Sequence, residues 1–279
     1  MIWPAGAHDV RRRTTKQTSS KLMPETQSSS QVNSLQRGLD ILHQFDGRQA
    51  LLTHTEISTR LGLPRTTATK LIATLVANNF LRQDASGAYG PDVACLALGR
   101  AVKRGLPVVQ AASPQMARFA EEFGVHVSLM MRERLQMLVL EHAVPTGFSH
   151  LGLATGALVP IARSASGRAY LWAQKPALQA ELFEVLKDVG TEGAHRFMPG
   201  VYAAFQELEG RGFCFMASPV TRQSNSIATP LYDRDVPSYA LAAMSVGGDD
   251  TERALIEEIG PRLLQLSAEI SRDLERLPA

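Results

Sequence analysis

Arg65, Thr66, Thr67, Thr69 and Lys70 crowd into six positions of the chain. Arg and Lys bond phosphates or guanine edges. Thr offers a hydroxyl to phosphate and a methyl to thymine. These residues fall opposite Ala68, Leu71, Ile72, Leu75 and Val76, which recur at helical spacing. The pattern predicts a helix with one polar, basic face and one apolar face. A shorter helix should precede it. Thr53 with Glu56 fits a capping box, in which a hydroxyl takes an orphan amide and a carboxylate reaches back to the cap. Ile57 and Leu61 are four apart and share a face. Gly62 allows a sharp exit, and Pro64 suits the first turn of the next helix. Thr53 to Asn79 therefore reads as a helix-turn-helix whose second helix enters the DNA major groove. Thr53, at its entrance, joins the candidate DNA contacts.

The flanks extend that unit. Val32 to Phe45 is amphipathic, with Leu35, Leu39, Leu42 and Phe45 expected inward, and Arg37 is placed to meet phosphate. Phe80-Leu81-Arg82 and Ala88-Tyr89 read as short extended runs around the turn Asp84-Ala85-Ser86-Gly87. Three helices and a hairpin make a winged helix, with Arg82 on the wing facing the DNA backbone. An ordinary helical hairpin with a solvated basic face is the plain alternative, and charge argues against it. Residues 1–111 hold 14 Lys or Arg and 7 Asp or Glu, a net of +7, whereas residues 112–279 hold 15 and 20, a net of −5. A basic front and an acidic back fit a nucleic-acid-binding domain joined to something else.

The 279 residues suggest about two domains. Residues 1–31, with Arg11-Arg12-Arg13, Lys16 and Lys21 among Ser, Thr, Gln and Pro, read as a disordered basic arm. Residues 32–92 form the expected DNA-binding unit, 93–111 a linker helix, and 112–279 a second domain. No apolar run approaches the roughly 18 residues of a membrane span. Cys95 and Cys214 are far apart and fit neither a disulfide framework nor a metal pair, which suggests a reducing cytoplasm.

Val93 to Lys103 reads as the linker helix, with Val93, Leu96, Ala97 and Val102 free to pack, and Val108 to Phe123 reads as a further helix ending at Gly124. Val125 to Met131 and Leu135 to Val144 suggest an antiparallel hairpin. Helices are expected from Ser164, over Pro176–Val189 and over Pro199–Glu209. Strands are expected over Phe213–Ser218, Ser226–Leu231 and Tyr239–Val246. A long helix from Thr251 to Leu277 should bend at Pro261. The sum is an α+β domain with one antiparallel sheet of five or six strands.

Five segments together resemble the IclR-type transcriptional regulators. They are SLQRGLDIL at Ser34–Leu42, LTHTEISTRLGLPRTTATKLIATL at Leu52–Leu75, AYGPDVACLALG at Ala88–Gly99, GALVPIARSASGRAYLWA at Gly156–Ala173 and NSIATPLYDRDVPSYALAAMSVGG at Asn225–Gly248. The resemblance implies a GAF-like effector-binding domain, a homodimer or dimer of dimers, operator DNA as a partner, and control by a small metabolite, often an organic or aromatic acid. Repression is expected rather than activation. The resemblance also implies an effector pocket at Gly156, Ala157, Ser226 and Ser245, the two serines flanking one sheet face, with Met130, Leu151 and Met216 as its apolar wall. The stretch CFMASPVTRQSNS after Phe213 departs from the family, since it carries Arg222 and neither an acid nor a Gly.

The histidines His126, His142, His150 and His195 match no zinc spacing, although His126 and His142 could meet across the sheet. No metal or cofactor is expected. Ser164 and Ser166 precede a helix, but no GxSxG, HExxH, GxGxxG, P-loop or CxxC motif occurs, so an enzyme is not expected. A scaffold using the winged helix for protein contacts is the remaining alternative.

Overall fold

The computed structural model describes residues 32–45, 50–148, 153–188, 194–217, 224–246 and 249–277. The basic arm, Leu151, His150 and Arg222 lie outside them.

Helix α1 (Asn33–Leu42) opens the first unit, followed by α2 (His54–Leu61) and α3 (Arg65–Ala77). Thr53 caps α2 as the sequence demands, its hydroxyl accepting from the Glu56 amide while Glu56 takes the Thr53 amide at 2.7 Å. Gly62 ends α2 at φ 61°, a left-handed turn that a side chain would strain. Ile41, Leu52, Ile57, Ala68, Ile72 and Leu81 close the core of this unit. Strands β1 (Leu81–Gln83) and β2 (Tyr89–Pro91) form the wing, and Leu52 pairs with Tyr89 alongside it. Asp84 holds the wing turn by accepting from the amides of Ser86 and Ala88 and from the Ser86 hydroxyl at 2.6 Å. The Ser86 hydroxyl is the main reason its carboxyl lies below the usual carboxylate value.

The stripe expected inside α1 is corrected. Gly38 and Ile41 are buried, Leu42 and Phe45 pack partly, and Leu35 and Leu39 are 62% and 44% exposed. Two apolar stripes run along this short helix, and only one can face a three-helix core.

Helix α4 (Val93–Gly105) is capped by the Asp92 carboxylate and buries none of its residues. Val93, Leu96 and Val102, expected to pack, are exposed in the single chain. Helix α5 (Pro107–Phe123) leads into the second unit, where Val108, Val109, Ala112 and Met116 are buried.

Strands β3 (His126–Glu133) and β4 (Gln136–Ala143) form the expected hairpin, and β5 (Leu158–Pro160) joins its edge. A short 3₁₀ turn (Ile161–Arg163) leads to α6 (Ala165–Ala173), α7 (Pro176–Asp188) and α8 (Ala194–Arg211). Helix α8 starts five residues before the expected Pro199. Strands β6 (Cys214–Ala217), β7 (Ser224–Asp233) and β8 (Val236–Val246) complete an antiparallel sheet in the order β5-β4-β3-β8-β7-β6.

The last helix is continuous but not uniform. It runs as α9 (Asp249–Ala254), a π turn over Leu255–Ile259, then α10 (Gly260–Arg276). Pro261 has no amide to give the preceding turn, and the wider turn just before it absorbs that break. One sheet face packs on α5 and α10 through Val127, Leu129, Ile227, Leu241 and Ala243. The other packs on α6, α7 and α8 through Met130, Val139, Ala228, Ala240 and Ala242. Among the described residues, no helix is long and apolar enough to cross a membrane.

Candidate nucleic-acid interface and effector site

The face of α3 turned from the core presents Thr66 and Lys70, both exposed, on either side of one helical turn. Arg65 and Thr69 lean toward α2. Arg65 Nη2 donates to Thr55 Oγ1 at 3.1 Å, and Thr69 Oγ1 lies 3.0 Å from His54 Nε2 while donating to the Arg65 carbonyl. Thr67, on the opposite flank, is half-buried. The five residues therefore form a central pair, an edge tied to α2 and a half-buried flank. His54 and Thr55 join that edge. Sequence reasoning passed over them, although the helix-turn-helix spacing already put the start of α2 beside α3. The Thr53 hydroxyl is engaged in the cap. Arg37 on α1 and Arg82 on β1 are exposed.

Thr53→Ala removes one capping bond and leaves the Glu56 carboxylate without the hydroxyl it accepts from at 2.8 Å. The expected cost is about 1 kcal/mol, read as a lower melting temperature of the first unit. An unchanged melting curve would mean the cap contributes nothing.

The second candidate site is on the sheet. Cross-strand partners in register point to the same side. Ser226 is opposite Met244 and Met216, whereas Ser245 is opposite Asn225. Ser226 thus shares the α6 face with Ala228 and Ala242, and its hydroxyl donates to the Met216 carbonyl at 3.2 Å. Ser245 alternates with Ala243 and Leu241, which pack on α10, and its partner Asn225 bonds Thr251 of α9. The expectation that both serines flank one face is corrected. They stand back to back, because one residue of register exchanges the faces.

Met130 and Ala157 pack in one cluster on the α6 face. Gly156 sits beside them, its amide donating to the Val139 carbonyl at 2.8 Å. Met216 and Ser226 lie across the sheet from that group. On β3 and β4, the strands next to the first group, stand His126, Ser128 and His142, and His126 is in register through Met244 with Ser226 and Met216. His126 Nδ1 lies 3.3 Å from His142 Nε2, and Ser128 Oγ lies 2.8 Å from His142 Nδ1. The two histidines do meet across the sheet. Sequence reasoning weighed them only as metal ligands and did not place them beside the pocket residues. Among the described residues, no cluster of three or more metal-binding side chains exists.

Helix α6 closes onto the 3₁₀ turn before it at Gly167, where an added Cβ would strike the Ile161 carbonyl. Ser164 caps it by accepting from the Gly167 amide, and Ser166 is buried and bonds Ser164. Both serines are thus held by the helix start. Burial pushes the Cys214 thiol up to about 12, and it donates to the Ala165 carbonyl, so it is no nucleophile.

Comparison with known proteins agrees with this layout. Residues 34–85 match the model of the IclR helix-turn-helix domain, and residues 100–275 match that of the bacterial transcriptional regulator IclR C-terminal domain. The chain is 26% identical over 253 residues to the HTH-type transcriptional regulator TsaQ1/TsaQ2 of Comamonas testosteroni, covering 87% of this chain and 88% of that one. An IclR family transcriptional regulator from Brucella abortus superposes with a TM-score of 0.78 at 30% identity, covering 87% and 92%. An IclR homolog from Microbacterium hydrocarbonoxydans, complexed with 4-hydroxybenzoate, has the same fold at 22% identity with a TM-score of 0.68, covering 88% and 100%. With a helix-turn-helix at the front, a six-stranded antiparallel domain behind it and both parts matched in order, the chain belongs to the IclR family and is a DNA-binding transcriptional regulator, not an enzyme.

Proposed function

We propose that the protein is a cytoplasmic, homodimeric repressor whose affinity for operator DNA is set by a small organic or aromatic acid. The observation that carries this reading is the bare apolar surface of the front half. Val32 just before α1, Leu35 and Leu39 of α1, and Val93, Leu96, Leu98 and Val102 of α4 are all exposed in the single chain. Large aliphatic side chains grouped on two helices call for a partner, and a second copy is the simplest one. A single helix-turn-helix also contacts too few base pairs for genomic specificity. Two copies joined at α1 and α4 would place two α3 helices on paired half-sites, about one helical turn or a multiple of it apart.

Residues 32–92 are the DNA-reading part in this view, with Thr66 and Lys70 toward the bases and Arg37, Arg65 and Arg82 toward phosphates. The linker closes at Leu106 rather than at residue 111, because Val108 and Val109 already belong to the core of the second unit. The effector lies on the α6 face, near Gly156 and Ala157 on one side and Met216 and Ser226 on the other. The aromatic acid bound by the Microbacterium homolog favours that ligand class.

Two measurements test the proposal. Sedimentation of Leu35→Glu and Leu96→Glu should give monomers with weakened operator binding, against a wild-type dimer. Monomeric wild-type protein that binds a single half-site with full affinity would sink the dimer. A thermal-shift screen of organic and aromatic acids should find a stabilising ligand that also releases operator. At 100 times its dissociation constant a ligand adds about 2.7 kcal/mol. A ligand that tightens the operator complex would reverse the sign to activation.

A further inference from the structure

Apart from Arg132 near the far end of β3, which donates to Tyr170 Oη of α6, the α6 face of the sheet is apolar over most of its area and polar along one strip. Where α6 covers it, Ala228 and Ala242 meet Ala165 and Ala169. One row beyond that cover, His126, Met244, Ser226 and Met216 stand in register across four strands. The last three are only half-buried. His126 is 2% exposed and Ser128 4%. Burying the His126 imidazole and the Ser128 hydroxyl on a sheet face, with a half-buried His142 beside them, costs free energy that a valine or methionine would not. A face that served packing alone would not hold them.

A defect in the strand puts His142 there. Leu129 pairs with Glu141 and Met130 with Val139, so Leu140 is an extra residue with no partner opposite. Leu138 and Leu140 both pack toward α5 and α10, and the bulge then turns His142 onto the α6 face. With an unbroken ladder His142 would face α10. Bulges concentrate at functional sites because they re-aim one side chain.

The same bulge sends Glu141 the other way, to the linker helix. Glu141 Oε2 meets Lys103 Nζ at 2.8 Å, and Glu141 Oε1 accepts from the His142 backbone amide at 3.3 Å. A continuous set of bonds runs from Ser128 and His126, through His142 and Glu141, to Lys103 on α4. The Glu141 carboxylate is 12% exposed, so the ion pair is less screened than a surface pair.

We infer that Ser128, His142 and His126 are the recognition group for the carboxylate of the effector, and that Glu141 and Lys103 carry its occupancy to the linker helix. This rests on the reading of the α6 face as the effector site. An imidazole offers an N–H to a carboxylate and takes a second proton beside one. Met244 and Met216 next to it are flexible apolar walls for the remainder of a small acid. A ligand carboxylate at His142 shifts the position of that residue, its backbone amide moves relative to Glu141, and the Lys103 pair follows.

The test uses the full-length protein with benzoate, 4-hydroxybenzoate and pyruvate as probes, and benzamide as the uncharged control. Imidazole NMR signals of His126 and His142 should move saturably with at least one acid and not with benzamide. His142→Gln should weaken binding of that acid roughly tenfold or more. Ser128→Ala, which barely alters packing volume, should weaken it in the same direction and covers the case of a misfolded His142→Gln. Lys103→Met should bind the acid within twofold of wild type yet lose its effect on operator affinity. If an acid stabilises the protein without moving either imidazole, or binds both pocket variants as tightly as wild type, the recognition group is overturned while an effector site elsewhere survives. If none of the acids binds, the carboxylate assignment falls, and operator binding by the unliganded protein decides the wider reading separately. An unchanged operator response in Lys103→Met overturns the coupling alone.

Discussion

Gly167→Ala is expected to unfold the second unit at ordinary temperatures or to lower its melting point steeply. An alanine Cβ there would lie inside the Ile161 carbonyl group, with the rest of the Ile161 backbone just behind it. No rotamer change relieves that clash, because both sides are backbone. Either α6 lifts from Ala228 and Ala242, or the 3₁₀ turn before it shifts together with the buried Ile161 and Ala162. The expected cost is about 3 kcal/mol, at the upper end for overpacking. For a unit of this size that corresponds to a drop of roughly 6–12 °C. Gly210→Ala in α8 is the control, since its Cβ meets nothing within 4 Å. It should be neutral or slightly stabilising, as alanine is the better helix former. Equal melting points for the two variants would show that α6 has slack the structure does not suggest.

The second large effect is expected at the DNA. Lys70→Ala and Arg65→Ala should each weaken operator binding by about 1–3 kcal/mol with folding intact, since both side chains are exposed. The two should differ in kind. Lys70 stands at the middle of the outward face, so its loss should depend on the operator base it meets. Arg65 is drawn toward α2 by Thr55, which favours a phosphate contact. Its loss should be uniform across sequences and reduce the salt slope by about one. Anisotropy titrations with operator and scrambled DNA, at several salt concentrations, separate the two outcomes. Unchanged binding in both variants would mean that α3 docks with another face.

Local chemistry was legible in the chain. The Thr53–Glu56 cap, the left-handed Gly62, the apolar stripe of α3 and the Asp84 turn depend on residues within a few positions of each other. Their presence can be read from near neighbours alone, although the stripe of α3 is stabilised only once it is buried. The strands other than the short β5, and the order of the elements, were also legible, because alternation and turn residues are local signals. Pro261 was expected to bend the last helix; what the structure shows there is a π turn over Leu255–Ile259 just before it. What only the tertiary structure decided concerns which way a side chain faces. Leu35 and Leu39 belong to as regular a stripe as Ile41, and only the positions of α2 and α3 determine which stripe is buried. Ser226 and Ser245 sit on neighbouring strands with similar surroundings in sequence, and the register of β7 against β8 puts them on opposite faces. His142 reaches Ser128 and His126 because Leu140 bulges from the ladder. A period-2 pattern carries no warning of such a slip, since the extra residue is stabilised by packing against helices far away in the chain.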